Sequence, residues 1–332
     1  MCYQLKELLK LLTGTYGPSG SEEAIRQVIE KEIKDYVDEI RVDTLGNLIA
    51  VKKGEGKRIM LAAHMDQIGL IVTNIDDNGF LRFFNVGGVS PFNVMHRKVV
   101  FQNGVTGVVG YETEIDDLKN LKLNRMYIDI GATSREAAAK NVSIGDVAVY
   151  DAPMNESDGR FFGCAMDDRA GCAVLIETMK AVKNTSHEIY YVFTVQEEVG
   201  LRGAKTASYA IMPDIGIAVD VTLTGDTPKS RPMAIKLGAG PAIKVKDSSV
   251  LAHPKVKELM IRRAEEAGIP YQLEVLEAGG TDSGAIHLSR EGVPSGVISI
   301  PCRYVHSAHE MIDKDDLLKA VELLTKILEN EI

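Results

Sequence analysis

Five short segments carry residue types that could act together at a single site. They are Ala63-His64-Met65-Asp66, Met166-Asp167-Asp168-Arg169, Gln196-Glu197-Glu198-Val199, Val219-Asp220-Val221 and Tyr304-Val305-His306-Ser307. Four of them sit just past, or at the end of, an apolar run that reads as a buried strand. An open α/β sheet binds its ligands at that position, outside the carboxyl ends of its strands. Two histidines with several carboxylates form a mixed nitrogen and oxygen donor set suited to zinc, cobalt or manganese.

Each segment has a plainer reading. A lone histidine after a strand is usually structural, but Asp66 lies two residues beyond His64, and i, i+2 side chains in extended backbone share a face. The Asp66 carboxylate can then accept the imidazole N–H and turn the other ring nitrogen toward a metal. Asp167-Asp168 precedes a helical pattern, so one carboxylate can cap the helix while the other bridges two cations. Glu197-Glu198 ends a strongly apolar strand, where two acids are costly to bury unless paired or metal-bound. One of them can bind metal while the other acts as general base on an activated water. Asp220 repeats the arrangement. Recurrence at several strand ends, more than any one pair, points to a shared site.

The elements that must position these residues alternate. Ser19-Gly20-Ser21-Glu22 has the form of a capping box, followed by Ile25, Val28, Ile29 and Ile33 at helical spacing. Arg58–Ala63 is apolar on both faces, as a covered strand should be. From about Leu70 to Asp158 the pattern changes to short strands punctuated by Asp77-Asn78-Gly79 and Gln102-Asn103-Gly104, with one short helix near Ser134–Asn141. After Asp158 come a helix from Arg169, strands at Glu188–Val195 and Ile215–Val219, a helix near His253–Ala267, a strand at Tyr271–Leu276, a helix at Ser283–Arg290, a strand at Gly296–Ile300 and a closing helix at Asp313–Asn330. The fold class expected is α/β, a mainly parallel sheet with helices on both faces, plus an inserted small β-rich domain. Residues 1–69 and 159–332 form the first unit and 70–158 the insertion.

Composition narrows the partners. The chain has 332 residues, 45% hydrophobic and 26% charged, with net charge −9. That balance argues against nucleic acid, which needs a basic face. No apolar run reaches the ~18 residues of a membrane span, and the N-terminus shows no secretory pattern. Four cysteines (Cys2, Cys164, Cys172, Cys302) without a CxxC pair fit a reducing cytoplasm.

Taken in order, Ala63–Gly69, Asp167–Gly171, Gln196–Gly200, Gly279-Gly280-Thr281-Asp282-Ser283-Gly284 and Arg303–Ser307 resemble the dinuclear metal aminopeptidases of the glutamyl and deblocking aminopeptidase family. That family includes tetrahedral aminopeptidases and members labelled "cellulase M". The resemblance spans nearly the whole chain. It implies a zinc-peptidase-like fold, peptide substrates and two divalent ions per subunit (Zn2+ or Co2+, with Mn2+ as a third choice). His64 and Asp220 would hold one metal, Glu198 and His306 the other, and Asp167 would bridge them. Glu197 would be the general base, Asp66 would orient His64, and the Asp167–Asp168 peptide would be cis. The β-rich insertion would serve oligomerisation, as a dimer or a dodecamer of dimers. His309 follows His306 closely; the Arg-Tyr-x-His-Ser context favours His306 as ligand. The remaining histidines, His96, His187, His253 and His287, lack an acidic partner at useful spacing and read as structural. Two rival functions are a glycosidase using a carboxylate pair and a non-catalytic, metal-stabilised assembly module.

Overall fold

The computed structural model describes residues 2–332, with side chains described from Gln4 onward, so Met1, the Cys2 thiol and the N-terminal leader reading lie outside the described residues. A strand with apolar residues on both faces must be covered on both faces. Ile215–Thr222 is buried at every position and Ser295–Arg303 at all but its last. These two, with Arg58–His64 and Glu188–Thr194, form the parallel centre of an eleven-stranded sheet among the described residues. Side chains alternate between the faces. Ile59, Leu61 and Ala63 pack with helices Cys2–Thr13, Glu23–Ile33, Met166–Ala181, Pro254–Ala267 and Lys314–Leu328. Met60 and Ala62 pack on the other side with Arg202–Ile211 and Ser283–Ile286.

The architecture is mixed α/β, and "mainly parallel" describes its centre and a branch in which Ala242–Lys246 pairs parallel with Gln272–Val275. On one flank Leu48–Lys52 and Glu39–Val42 add antiparallel, and on the other so do Glu310–Asp313, Arg160–Gly163 and Asn155–Ser157. Three of these antiparallel pairs, Glu39–Val42 with Leu48–Lys52, Asn155–Ser157 with Arg160–Gly163 and Ser295–Arg303 with Glu310–Asp313, are joined by short connections, which permit antiparallel pairing without a crossover helix. The closing parts of the pattern are also shorter than expected: the helix after Asp282 ends at Ile286, not Arg290.

A separate closed barrel is built from Gly69–Ile75, Leu81–Val86, Met126–Asp129, Thr106–Tyr111, Lys98–Phe101 and Val147–Tyr150, in that spatial order. Closure removes the exposed edges that a small antiparallel sheet would present. Its core includes Leu70, Val72, Leu81, Phe83, Val109 and Ile128 and is distinct from those of the large sheet. The chain enters the barrel directly after Gln67 and leaves it at Tyr150. From the end of Leu81–Val86 the chain runs through Gly87-Gly88 into a short helix, Pro91–Val94, capped by the Ser90 hydroxyl.

Candidate active site

Parallel register brings the scattered segments together. Thr194 is level with His64, and Asp220 with Ser299, so the chain ends beyond these strands converge on one edge of the sheet. Glu197 and Glu198 follow Thr194, and His306 follows Arg303. Asp167 stands at the start of the Met166–Ala181 helix, and the peptide that joins it to Asp168 is cis. The turns at this edge are tight: Ala165, Gln196, Leu201, Tyr304 and His306 hold φ between 55° and 62°. Non-glycine residues rarely adopt that conformation, at a cost of about 1–3 kcal/mol each, unless their surroundings over-determine it.

The resulting contacts centre on Asp167. Its Oδ1 lies 3.0 Å from His64 Nε2 and its Oδ2 3.2 Å from His306 Nε2. His306 Nε2 is also 3.2 Å from Glu198 Oε1, while His64 Nε2 is 3.8 Å from Asp220 Oδ1 and 3.9 Å from Glu197 Oε2. All seven residues expected at the site, Asp66 included, therefore lie in one cluster. All but Asp66 line a cavity of about 610 Å³. Asp168 comes close to His64 and Asp220 as well. It is fully buried, however, and its Oδ1 accepts the Gly171 N–H at 2.9 Å, which makes it the helix cap. His309 is exposed and does not line the cavity.

Asp66 acts differently from the simple i, i+2 picture. The His64 ring Nδ1 faces the Asp66 backbone carbonyl at 3.1 Å, with the carboxylate at 3.4 Å. The carboxylate accepts instead from Ser19 Oγ (2.6 Å), Glu197 N (3.0 Å) and Glu198 N (3.3 Å). It thus fixes the backbone that carries both glutamates as well as the imidazole. The expected capping box is absent for the same reason. Ser19 donates to Asp66, and Glu22 accepts from Gly20 N and Gln196 N, so neither side chain caps the Glu23–Ile33 helix.

Other supports carry no sequence signal strong enough to single them out. Glu310 accepts from Asp167 N (3.1 Å) and His306 N (2.7 Å), bracing two of the cavity's segments at once. Asp282 is buried against the Thr194 hydroxyl; the Gly279–Gly284 loop reads as a backbone wall, yet it also delivers this carboxylate. Gly87 and Gly88 come from the barrel. A Cβ on Gly88 would lie 2.6 Å from His306 Nδ1, and one on Gly87 3.0 Å from Glu198 Oε2. Asn93 Nδ2 donates to the His306 carbonyl at 3.0 Å.

Crowding so many acids out of water perturbs them all. Burial pushes Glu197, Glu198, Asp168 and Asp220 up, with neighbouring carboxylates adding to it. Glu310 is raised to about 8 and Asp282 to about 6, burial again leading. Burial opposes a charged imidazole, but Asp167 and Glu198 overcome it and hold His306 up at about 12. His64 moves the same way under Glu197 and Asp167. Burial also works against the Asp167 carboxylate, yet the two imidazoles prevail and hold it below the ordinary range.

A model of the M42 glutamyl aminopeptidases matches residues 46–323. This chain belongs to that family. A putative aminopeptidase of Acetivibrio thermocellus is 59% identical over 322 residues, covering 97% of this chain and 98% of that one. The structure of an aminopeptidase from the archaeon Desulfurococcus kamchatkensis superposes with a TM-score of 0.96 at 39% identity, covering 99% and 96% of the two chains. The Pyrococcus horikoshii TET1 peptidase, which can assemble into a tetrahedron or a large octahedral shell, does so with 0.89 at 35%, covering 98% and 100%. The protein is an aminopeptidase of the M42 family, a hydrolase of peptide bonds, and the glycosidase and scaffold readings are set aside.

Proposed function

We propose that this M42 aminopeptidase works with two divalent cations, one held by His64, Asp167 and Asp220 and the other by Asp167, Glu198 and His306. The observation that carries this reading is Asp167, whose two oxygens face two different histidines at 3.0 and 3.2 Å. The donor set also fits cations on its own chemistry. Glu198 Oε1 is buried and accepts no well-aligned hydrogen bond, with only an imidazole nitrogen recorded beside it at 3.2 Å, and carboxylates outnumber imidazoles among the cavity residues. Nitrogen and oxygen donors without thiolates suit zinc or cobalt, with manganese as a third choice. Such cations, when bound, lower the pKa of water and polarise the scissile carbonyl.

The protein's own groups do the rest. Glu197 lines the cavity, and Asp66 fixes its backbone N–H, so its carboxylate projects from a rigid turn. It takes the proton of the attacking water as the C–O bond forms. It then gives that proton to the nitrogen as the C–N bond breaks, releasing the N-terminal residue with a new carboxylate and the shortened peptide with a free amine. Asp66 contributes by positioning alone. Replacing Glu197 by Gln tests the assignment: activity on aminoacyl-p-nitroanilides should fall by several orders of magnitude with metal content near normal. A Glu197→Gln enzyme that keeps wild-type activity would overturn the role.

Residues 1–69 and 159–332 are proposed as the catalytic unit and 70–158 as an inserted, assembly-forming barrel. The barrel presents Phe84, Phe92 and Val108 to the exterior, which suits a homo-oligomer, either a dimer or a dodecamer of dimers. The substrates are peptides, with neither nucleic acid nor membrane as partner. No described helix is long and apolar enough to cross a membrane. We place the enzyme in the cytoplasm, a reading supported by the buried free thiols of Cys164, Cys172 and Cys302.

A further inference from the structure

The floor of the cavity is polar, but its wall is not. Leu201, Val221, Leu223, Leu276, Ala278 and Val305 line it together with the histidine and carboxylate cluster. Among the described residues lining the cavity, no charged side chain lies outside that cluster. The nearby charges are already engaged. Arg303 makes a two-pronged pair with Asp226 (3.0 and 2.6 Å). Lys244, fully buried, pairs with Glu274 at 2.9 Å, and Glu274 in turn accepts the Thr222 hydroxyl at 2.7 Å. Arg231 and Glu277 are exposed to solvent and line an adjoining cavity of about 270 Å³, with Leu223, Leu276 and Ala278 shared between the two.

One wall residue is held in place at a cost. Leu201 has φ 56°, a conformation unusual for a bulky side chain, and its N–H is tied to the Glu197 carbonyl at 2.9 Å. The turn that presents the glutamate therefore also presents a leucine to the same cavity.

We propose that this wall receives the side chain of the substrate's N-terminal residue and selects an uncharged, apolar one, of leucine or methionine type, over glutamyl or lysyl residues. The proposal rests on the aminopeptidase reading above and adds the substrate class. A glutamyl side chain would need a cation to meet it, and a lysyl one an acid beyond the catalytic cluster. Without either, a charged side chain gives up its hydration against leucine and valine with nothing in return. A pocket of this size and lining is instead suited to apolar burial, with a few polar groups fixing orientation.

The test is kcat/KM for leucyl, methionyl, alanyl, glutamyl and lysyl p-nitroanilides on protein restored with zinc or cobalt. Leucyl should exceed glutamyl and lysyl by about 100-fold or more, and exceed alanyl by about tenfold or more. Glutamyl or lysyl turnover within about threefold of leucyl would overturn the wall's role while leaving the catalytic reading intact. Cleavage of none of the five would instead overturn the catalytic reading itself. Two further measurements do not depend on wild-type turnover. Calorimetric titration of the Glu197→Gln protein with Leu-Gly and Glu-Gly should show the same order of affinity; equal affinities would count against the wall. Leu223→Lys, at a position 44% exposed and outside the catalytic cluster, should raise the glutamyl to leucyl ratio at least tenfold with metal content unchanged. An unmoved ratio in a folded, metal-loaded Leu223→Lys enzyme would overturn the proposal.

Discussion

Gly88→Ala should damage the site without damaging the fold. Gly88 does not have a positive φ, so alanine can adopt its backbone conformation and the whole effect is steric. The added Cβ would lie 2.6 Å from His306 Nδ1 and 2.8 Å from Cε1, where ordinary van der Waals contact begins near 3.4 Å. Something must therefore move by most of an ångström. The barrel side is closed and well packed, whereas the His306 side chain keeps 31% of its surface exposed, so the imidazole is the part that yields. Displacement of ~1 Å in a reacting constellation costs about 100-fold in rate, or about 2.7 kcal/mol of transition-state stabilisation. The expected outcome is kcat/KM on leucyl-p-nitroanilide down about 100-fold, bound metal reduced, and the thermal midpoint within a few degrees of wild type. Kinetics, metal analysis and a melting curve on the same preparation decide it. Wild-type rate and metal content in Gly88→Ala would refute the claim that the barrel sets the position of His306. Should the alanine variant fold poorly, Asn93→Ala removes only the hydrogen bond to the His306 carbonyl. It should shift activity the same way by a smaller factor.

Three other outcomes follow from the geometry. Asp66→Asn should lower kcat/KM about 10- to 100-fold, the usual cost of losing an outer carboxylate behind a ligating histidine; kinetics unchanged from wild type would remove its positioning role. Chelation should lower the thermal midpoint and cation addition should restore it, because ions that bind only the folded state contribute about 2.7 kcal/mol at 100 times Kd; a midpoint indifferent to both would count against a cation site. Asp316 is raised to about 6, chiefly by burial and against the opposing N–H groups of Gly238 and Gly240. An acid raised on folding contributes stability that is fully present below its unfolded value near 3.9 and lost as pH rises through 6. Asp316→Asn should therefore flatten the fall in stability between about pH 4 and 6, by at most about 3 kcal/mol; denaturation curves of both proteins that run parallel across that range would show the assignment to be wrong.

What could be read from the chain was whatever one element determines by itself. His64, Asp220 and His306 end or follow apolar runs whose burial forces them into the sheet's centre, so their convergence is a consequence of strand order. The two Asn-Gly turns are equally local: Gly79 and Gly104, with φ of 90° and 85°, connect barrel strands as their types require. Roles set across elements were not legible. Ser19 and Glu22 match a capping pattern, yet Ser19 donates to Asp66 and Glu22 accepts from Gln196 as well as from Gly20, so two partners more than 40 residues away in sequence take part. Nothing in Gly87-Gly88 distinguishes it from any turn until the barrel is seen against His306. The antiparallel flanks escaped for a related reason, since strand direction depends on the connection and not on the strand's own residues.

The hydrogen bonding divides the buried carboxylates into two kinds. Asp66 and Glu310 each accept two backbone N–H groups from the segments they brace, so their lone pairs are largely occupied in holding the cavity's shape; Asp168 does so with Oδ1 alone, its Oδ2 being buried without a hydrogen bond. Among the described residues no backbone N–H is hydrogen-bonded to the Glu197 or Glu198 side chain, and each faces an imidazole, at 3.9 and 3.2 Å. Carboxylates lining the cavity outnumber its two imidazoles, so they cannot all remain charged without further compensation, and no described lysine or arginine lines the cavity. Protons can neutralise them, but a glutamic acid that holds its own proton cannot accept one from water. If Glu197 is to work as a base near neutral pH, further positive charge must come from outside the chain, and the site proposed around His64, Asp167 and His306 is where it would be held. On the proposed roles, the surplus of negative charge would leave the protein by itself a poor base and couple its activity to the cations it binds.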